Sequence, residues 1–343
     1  MLRGKNDVTA RTLLLSLGVG LLLWVAVGAV CLLYGQVRLP AGQVVRALRG
    51  ANVPGPTAGI VLMQRLPRVL LGLLVGGGLA VAGAAFQALL RNPLATPHTL
   101  GISAGGALGA VTAISFGLRG PALGPVGSVQ FFGLLGALVN VSIIYALARS
   151  RRAISPLKLL LAGVTLGLIC SALIMFVRFV SDPHMLVMVD RWLMGGLDVQ
   201  GFHSVGSVLP FLLPALFLIG VEANAMNQLA LGEEMAVGRG VNVGAVQTEV
   251  FLAGSVLTAA VVSVAGPIGF VGLIVPHAVR ALVGPDHRLL LSLSFFVGGA
   301  FLVVADTVAR SAFAPSEMPV GVLTAMLGGP FFLVILVTRL KEM

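Results

Sequence analysis

The stretch LPRVLLGLLVGGGLAVAGAAFQALL, residues 66–90, decides the fold of this chain. It carries one charge, Arg68, and it is longer than the roughly 20 apolar residues that a helix needs to cross a bilayer. Glycine and alanine recur along it, and such small residues let membrane helices approach one another closely. The stretch therefore predicts a membrane-spanning helix that packs tightly against its neighbours.

The composition of the whole chain extends this prediction. Its 343 residues are 57% hydrophobic and only 10% charged, whereas soluble domains carry about 25% charged residues. The apolar runs are continuous and do not alternate as the strands of a β-barrel would. We therefore expect an all-α integral membrane protein. Most basic residues behind the net charge of +10 lie in short loops, as membrane topology requires, so we expect no nucleic-acid partner.

Apolar segments of helical length follow one another along the chain, and we predict about ten transmembrane helices. No soluble linker separates them, which predicts a single transmembrane domain over 1–343. The first run resembles a signal peptide, but it is long enough to span and lacks a convincing cleavage site, so we expect a retained helix. Cys31 and Cys170 predict two buried thiols without a disulfide. The predicted segments are 12–34, 66–90, 99–117, 128–148, 158–178, 204–221, 246–264, 269–283, 289–308 and 320–338.

The basic residues predict the orientation of the chain in the membrane. With the N-terminus inside, thirteen basic residues fall on the cytoplasmic side and nine on the outside, and all three lysines are inside. An even number of spans then places both termini in the cytoplasm. Arg65, Arg68 and Arg310 are predicted on the outside, against this bias. Their side chains could bind lipid headgroups or cap helix ends.

Two segments of the sequence share an order of elements. Residues 76–103 and 253–280 each contain a small-residue-rich span, then a polar or Pro/Gly break, then a second span. In the ten-span order they run in opposite directions, five spans apart. This pattern predicts a weak inverted repeat of the kind that is common among transporters.

The sequence lacks the motifs of several enzyme classes. It contains no GxxxxGK[ST] phosphate loop and no HExxH, CxxC or GxSxG. Its five histidines are scattered, and we interpret them as ordinary polar positions. Ion-coupled transporters usually carry ionisable residues in mid-membrane, and here only Glu249 and Asp306 come close to that depth. We therefore expect a partner to supply the energy for any transport.

The block MNQLALGEEMAVGRGVNVG, 226–244, is polar between two apolar segments. Met226 and Leu229 have helical spacing, and Gly232 allows a sharp bend after them. Glu233 and Glu234 favour the N-terminus of a second helix. An amphipathic pair of this size could dock in a groove of a partner, and the alternative is a solvated loop or an interfacial helix.

Together these segments resemble a known family over nearly the whole chain. The chain resembles the permease subunits of type II ABC importers for ferric siderophores, haem and cobalamin. The resemblance implies a cobalamin-importer-permease-like bundle that forms a homodimer, with the substrate path along the dimer axis. It also implies two copies of a cytoplasmic ATPase and an external or periplasmic substrate-binding protein. The matching segments are 65–103, 159–174, 229–243, 265–280 and 318–332.

The same resemblance implies roles for individual residues at the two membrane faces. Coupling helices at about 222–244 would fit a groove on the ATPase. Arg65, Arg68 and Arg310 would dock the binding protein by pairing with its glutamates, since the arginine fork binds a carboxylate with two bonds. ATP and Mg²⁺ would be held by the ATPase, so this chain would be no enzyme and would hold no cofactor or metal. The implied coupling residues are Leu229, Gly232, Glu233, Glu234 and Gly238.

The resemblance also implies a cytoplasmic gate and a substrate path. Asn92 and Leu94, in RNPLATP, match one gate-forming turn. The second turn has Ser155 and Pro156, and only Ser155 keeps the hydroxyl chemistry found at that place, while Pro156 predicts a stiffer turn. Arg178, near the outer end of the fifth segment, could attract an anionic chelate, or it could bind lipid headgroups.

We expect the chain to be the permease of an ATP-driven importer for an iron chelate, a ferric siderophore or haem, in the bacterial inner membrane. Membrane lipid surrounds it. Cobalamin import on the same scaffold is the alternative, and an ion-coupled secondary transporter or a passive channel would be a different class. Co-purification with an ATPase and ATP-dependent uptake would separate these classes.

Overall fold

The computed structural model describes residues 9–35, 37–51, 53, 55–121, 126–149, 154–312 and 316–340, which are largely helical. One isolated β-bridge joins Arg149 and Ile154. The helices are α1 (Ala10–Leu33), α2 (Ala41–Leu48), α3 (Thr57–Gly59), α4 (Leu66–Leu90), α5 (Ile102–Phe116), α6 (Ser128–Ala148), α7 (Pro156–Val180), α8 (Pro183–Leu193), α9 (His203–Val221), α10 (Ala223–Leu229), α11 (Glu233–Gly238), α12 (Val243–Ala265), α13 (Val271–Val283), α14 (His287–Ala312) and α15 (Val320–Leu340).

The ten predicted segments are confirmed as apolar helices α1, α4 to α7, α9 and α12 to α15. By length and composition, seven helical segments in the described part of the chain suffice to cross a membrane. The third and eighth segments form the short helices α5 and α13, of 15 and 13 residues. The chain is an all-α integral membrane protein.

The second span begins earlier than its sequence pattern predicts. Six π-helical residues, Ile60–Arg65, join α3 to α4, so that one helical segment runs from Thr57 to Leu90. Val61 is fully buried in this extension, and its burial favours continued helix over an exposed loop. Arg65 therefore lies inside a packed helix and not at its exposed end.

Helices α4 and α12 form the centre of the bundle. Most residues of both are buried, and the rings of Phe86 and Phe251 meet between them with centroids 6.3 Å apart. Helix α4 packs along α14, and α12 packs along α9. By contrast, most of α1 and α7 faces away from the protein, toward lipid or a further chain.

Glycine allows the closest helix contacts, as the small-residue pattern predicts. A Cβ atom on Gly83 of α4 would lie 2.0 Å from the carbonyl oxygen of Gly272 in α13. One on Gly109 of α5 would lie equally close to the carbonyl oxygen of Phe132 in α6. Only glycine fits at these two crossings, because any side chain would collide with the neighbouring backbone.

Helices α4–α7 and α12–α15 form two units that contain the predicted repeat segments 76–103 and 253–280, and the inverted relation between them stays a prediction. Helix α4 packs against α13 and α14 of the second unit, and α12 packs against α5 and α6 of the first. The first helix of each unit is followed by a residue with positive φ, Arg91 and Gly266. The second helix of each is preceded by another, Gly101 and Phe270. The two units thus share both their packing and their backbone turns.

Candidate functional site

The predicted coupling block, 222–244, folds into the two short helices α10 and α11. Gly232 between them has φ 119° and ψ 149°, a combination that glycine adopts without a steric penalty. Met226 and Leu229 of α10 are buried against the bundle, as is Ala236 of α11. The end of the protein that holds α10 and α11 is named the coupling-helix end.

One face of α11 and the turn before it remain exposed. Leu231, Met235 and Val237 are 53%, 52% and 61% exposed, and Glu234 beside them is exposed too. Exposed apolar side chains next to a charged one are typical of a protein-binding surface. Gly238 ends α11, after which Arg239 donates a hydrogen bond to Gln228 and ties the two helices together.

Helix α10 is bound to the turn before α14. The side-chain nitrogen of Asn227 donates to Asp286 Oδ1 (3.0 Å), and its oxygen accepts from the backbone nitrogen of His287 (2.8 Å). A side-chain hydrogen bond from Arg288 lowers the pKa of Asp286 to about 2, and the Asn227 amide acts in the same direction. Asp286 is therefore ionised at neutral pH and holds this turn together.

Helix α11 is bound to a different part of the protein. Glu233, its first residue, forms an ion pair with Arg91 at the end of α4. Gln247 of α12 is 1% exposed. Its Nε2 donates to Glu233 Oε1 (3.4 Å), and its Oε1 accepts from the backbone nitrogen of Ile154 (3.1 Å).

The four predicted gate residues form two local turns at the same end. Asn92 Oδ1 accepts from the Leu94 backbone nitrogen (2.9 Å) and closes the first turn. Ser155 caps α7 by accepting from the Lys158 backbone nitrogen (3.4 Å). Pro156 is the first residue of that helix, a position that suits proline because its missing N–H is not needed there.

A cavity of about 850 Å³ borders the first gate turn. It runs past the α12–α13 turn to α15, and its walls are mainly apolar. Leu94 and Phe270 are among the apolar residues of these walls, and Thr96, His98 and Thr99 are among the polar ones. Among the described residues, no three His, Cys, Asp or Glu side chains come together as a metal site.

Arg65 and Arg310 are both buried, at 3% and 5% exposure. Arg65 Nη1 donates to the carbonyl oxygens of Leu32 (2.8 Å) and Leu33 (3.1 Å), and Arg310 Nη2 donates to that of Cys31 (3.0 Å). The two guanidinium groups therefore cap the C-terminus of α1, where the helix dipole favours positive charge. Of the interpretations offered by the sequence, this geometry corresponds to the capping of a helix end. Docking of a binding protein by these two arginines stays a prediction.

Arg68 is the centre of a charged cluster at the opposite end. It binds both carboxylate oxygens of Asp306, each at 2.9 Å. Its Nη1 also donates to Glu317 (3.0 Å) and to Asp198 (3.3 Å), which pairs in turn with Arg191 (2.6 Å). Sequence reasoning missed Asp198 and Glu317. The sequence around Asp198 and Glu317 does not indicate their contacts with Arg68, because each contact joins positions more than a hundred residues apart.

Arg178, predicted on the substrate path, pairs with Asp190 of α8 (2.8 Å), and both side chains are about 40% exposed. Asp190 also lines an open cavity of about 520 Å³ with Arg191, Met194 and Glu317. The structure thus brings Arg178 to the rim of a cavity at the end that contains Arg68. Its contact with substrate stays a prediction.

Comparisons with known proteins agree with this architecture. Residues 22–338 match the model of the FecCD transport family. The chain is 43% identical over 288 residues to the cobalamin import system permease protein BtuC of Halobacterium salinarum, covering 84% of this chain and 76% of that one. It is 40% identical over 285 residues to the hemin transport system permease protein HmuU of Yersinia pestis, covering 82% and 84%.

A solved structure extends the match to three dimensions. An inward-facing metal-chelate type ABC transporter superposes with a TM-score of 0.79 at 30% identity, and the match covers 95% of this chain and 99% of that one. The match therefore covers nearly the whole helical architecture of this chain. The chain belongs to the FecCD transport family.

Proposed function

We propose that this chain is the permease subunit of a binding-protein-dependent, ATP-driven importer that moves an iron chelate, either a ferric siderophore or haem, across the bacterial inner membrane. The exposed apolar face of α11 beside Glu234 carries the proposal. Such a face on a chain without a phosphate loop suits a groove on a separate ATPase subunit, which would bind ATP and Mg²⁺.

The proposed assembly is a homodimer with two ATPases and one external binding protein. Helix α7 supports the homodimer because Leu157, Leu161 and Leu168, at helical spacing, are 66%, 59% and 68% exposed. Both termini would be cytoplasmic, on the side of the coupling helices. The binding protein would dock at the opposite end, on the charged cluster around Arg68, with buried Arg65 and Arg310 supporting that surface from beneath.

The gate would lie at the coupling-helix end. The turns of Asn92–Leu94 and Ser155–Pro156 would close the path there, and the cavity that Leu94 lines would receive the chelate before release. Arg178, at the opposite end, would attract an anionic chelate toward the path.

Cobalamin is the second candidate substrate. The 43% identical relative is named a cobalamin import permease, while others are named for hemin and iron(3+)-hydroxamate. All three are bulky metal chelates, and a mainly apolar cavity of about 850 Å³ is within the usual range for such ligands.

Uptake by proteoliposomes that contain this chain, its ATPase and its binding protein tests the proposal. We expect ATP-dependent uptake of one among ferrichrome, haem and cyanocobalamin. Met235→Asp should abolish ATPase binding, whereas Phe202→Asp, at a site on the opposite end that is 44% exposed against 52% for Met235, should leave it intact. Uptake that an ion gradient drives without ATP would show a secondary transporter instead.

A further inference from the structure

Three contacts connect the first residue of α11 with both gate turns. The carboxylate of Glu233 pairs with Arg91, which directly precedes Asn92 of the first turn. The same carboxylate accepts from Gln247 Nε2 (3.4 Å). The other end of that amide accepts from Ile154 (3.1 Å), which directly precedes Ser155 of the second turn.

Gln247 is placed so that it cannot be exchanged for an apolar residue without consequence. It is 1% exposed, and it supplies the hydrogen bond of the Ile154 backbone nitrogen. A buried backbone donor that loses its partner destabilises the structure around it, because it no longer has a hydrogen bond to replace the one it made with water. The buried Gln247 side chain has one hydrogen bond to Glu233 and one to Ile154. It therefore holds α11 and the second gate turn in a fixed position relative to each other.

The backbone at Arg91 has a special conformation. Its φ of 47° is left-handed, which is uncommon for a residue other than glycine. Arg91 is also the residue that holds Glu233. A shift of α11 would thus act on a turn that is already in a sparsely populated conformation, next to the gate residues.

We propose that Glu233 and Gln247 are the positioning residues that transmit movement of α11 to both gate turns. The proposal rests on the proposed docking of an ATPase on this end of the protein. The two neighbouring glutamates then have different roles. Glu234 faces outward with the apolar docking residues, whereas Glu233 faces inward to Arg91. Asn227 of helix α10 bonds to another place, the turn before α14.

Charge exchange in the complete complex of permease, ATPase and binding protein tests the Glu233 contact. Arg91→Glu and Glu233→Arg should each lower substrate uptake per ATP hydrolysed by about fivefold or more, while the amount of bound ATPase stays unchanged. The double variant restores an opposite-charge pair and should recover to within about twofold of the original ratio. If Glu233→Arg loses ATPase binding and the double variant does not recover, Glu233 is a docking residue and the proposal is wrong.

Gln247→Leu tests the second contact against a matched control. It should lower the same ratio by about fivefold or more. Thr258→Val alters another fully buried polar residue of α12, whose hydroxyl bonds only within its own helix, and it should leave the ratio unchanged. A normal ratio in Gln247→Leu would overturn the proposal. Failure of the unmodified chain to bind any ATPase would refute the docking itself, which is a separate result.

Discussion

Replacement of Arg68 by leucine should destabilise the protein far more than replacement of Arg191, although both arginines pair with Asp198. The Arg68 and Asp306 side chains are 13% and 4% exposed, and two hydrogen bonds of 2.9 Å join them. In contrast, the Arg191 and Asp198 side chains are 63% and 50% exposed. The two substitutions therefore compare a buried ion pair with an exposed one in the same cluster.

The expected magnitudes follow from what each substitution leaves behind. Without Arg68, the buried Asp306 keeps one ion-pair partner among the described residues, Arg310, whose Nε lies 3.7 Å away. Removal of one partner from a buried pair costs about 3–5 kcal/mol, and because Arg310 remains we expect the lower limit, about 3 kcal/mol. An exposed pair contributes about 0–1 kcal/mol, so Arg191→Leu should cost less than about 1 kcal/mol.

Unfolding by sodium dodecyl sulfate in mixed micelles, followed by the fluorescence of Trp24 and Trp192, gives both free energies. The original chain and the two variants are compared in the same detergent. Equal losses in the two variants, or a loss below about 1 kcal/mol for Arg68→Leu, would refute the view that Arg68 is the main stabilising partner of the buried Asp306 side chain.

Three further predictions concern packing, pH and the thiols. Gly83→Ala should destabilise the protein by about 1–3 kcal/mol because its Cβ would collide with the Gly272 backbone, whereas Gly18→Ala in open space should be neutral or stabilising by up to about 1 kcal/mol; detergent unfolding measures both. Because the folded-state pKa of Asp286 is lowered from 3.8 to about 2, its ionised form should stabilise the protein above about pH 4, by about 1 kcal/mol for a carboxylate that is partly exposed to solvent screening. That contribution should disappear as the pH falls toward 2, and a pH titration of unfolding should show no such step in Asp286→Asn. Cys31 and Cys170 are free and buried, so a maleimide should label them only after unfolding, and labelling of the native protein would contradict their burial.

The sequence was sufficient for the ten apolar segments and for the position of the coupling block, since both depend on local pattern, but it did not predict the helices α2, α3 and α8. Continuous apolar runs of bilayer length define the ten segments, and a polar run between two of them predicts α10 and α11. Even the short helices α5 and α13 could be expected, because glycine and proline interrupt their segments. A local pattern is enough wherever the membrane alone selects the residue types.

The roles of single charged residues could not be read in this way. Arg65 and Arg310 cap α1 by bonding to carbonyl groups that are 33 and 279 positions away in the sequence. A local sequence pattern cannot indicate partners at such a separation. The π-helical residues Ile60–Arg65, which carry Arg65 into the bundle, depend on the burial of Val61. Glu233 and Glu234 are alike in sequence, and only the position of Arg91 distinguishes the inward side chain from the outward one.

Helix α4 carries the Arg68 cluster at one end and Arg91 at the other, with no proline in its interior. The 23 positions between these arginines correspond to about 35 Å of continuous helix, which is close to the thickness of a bilayer. A continuous helix of this kind transmits a shift along its axis from one end to the other. A ligand that shifts α4 at the Arg68 end and a ligand that shifts it at the Arg91 end would therefore change each other's affinity by the same factor. A movement at one face of the membrane would reach the other face through this single helix.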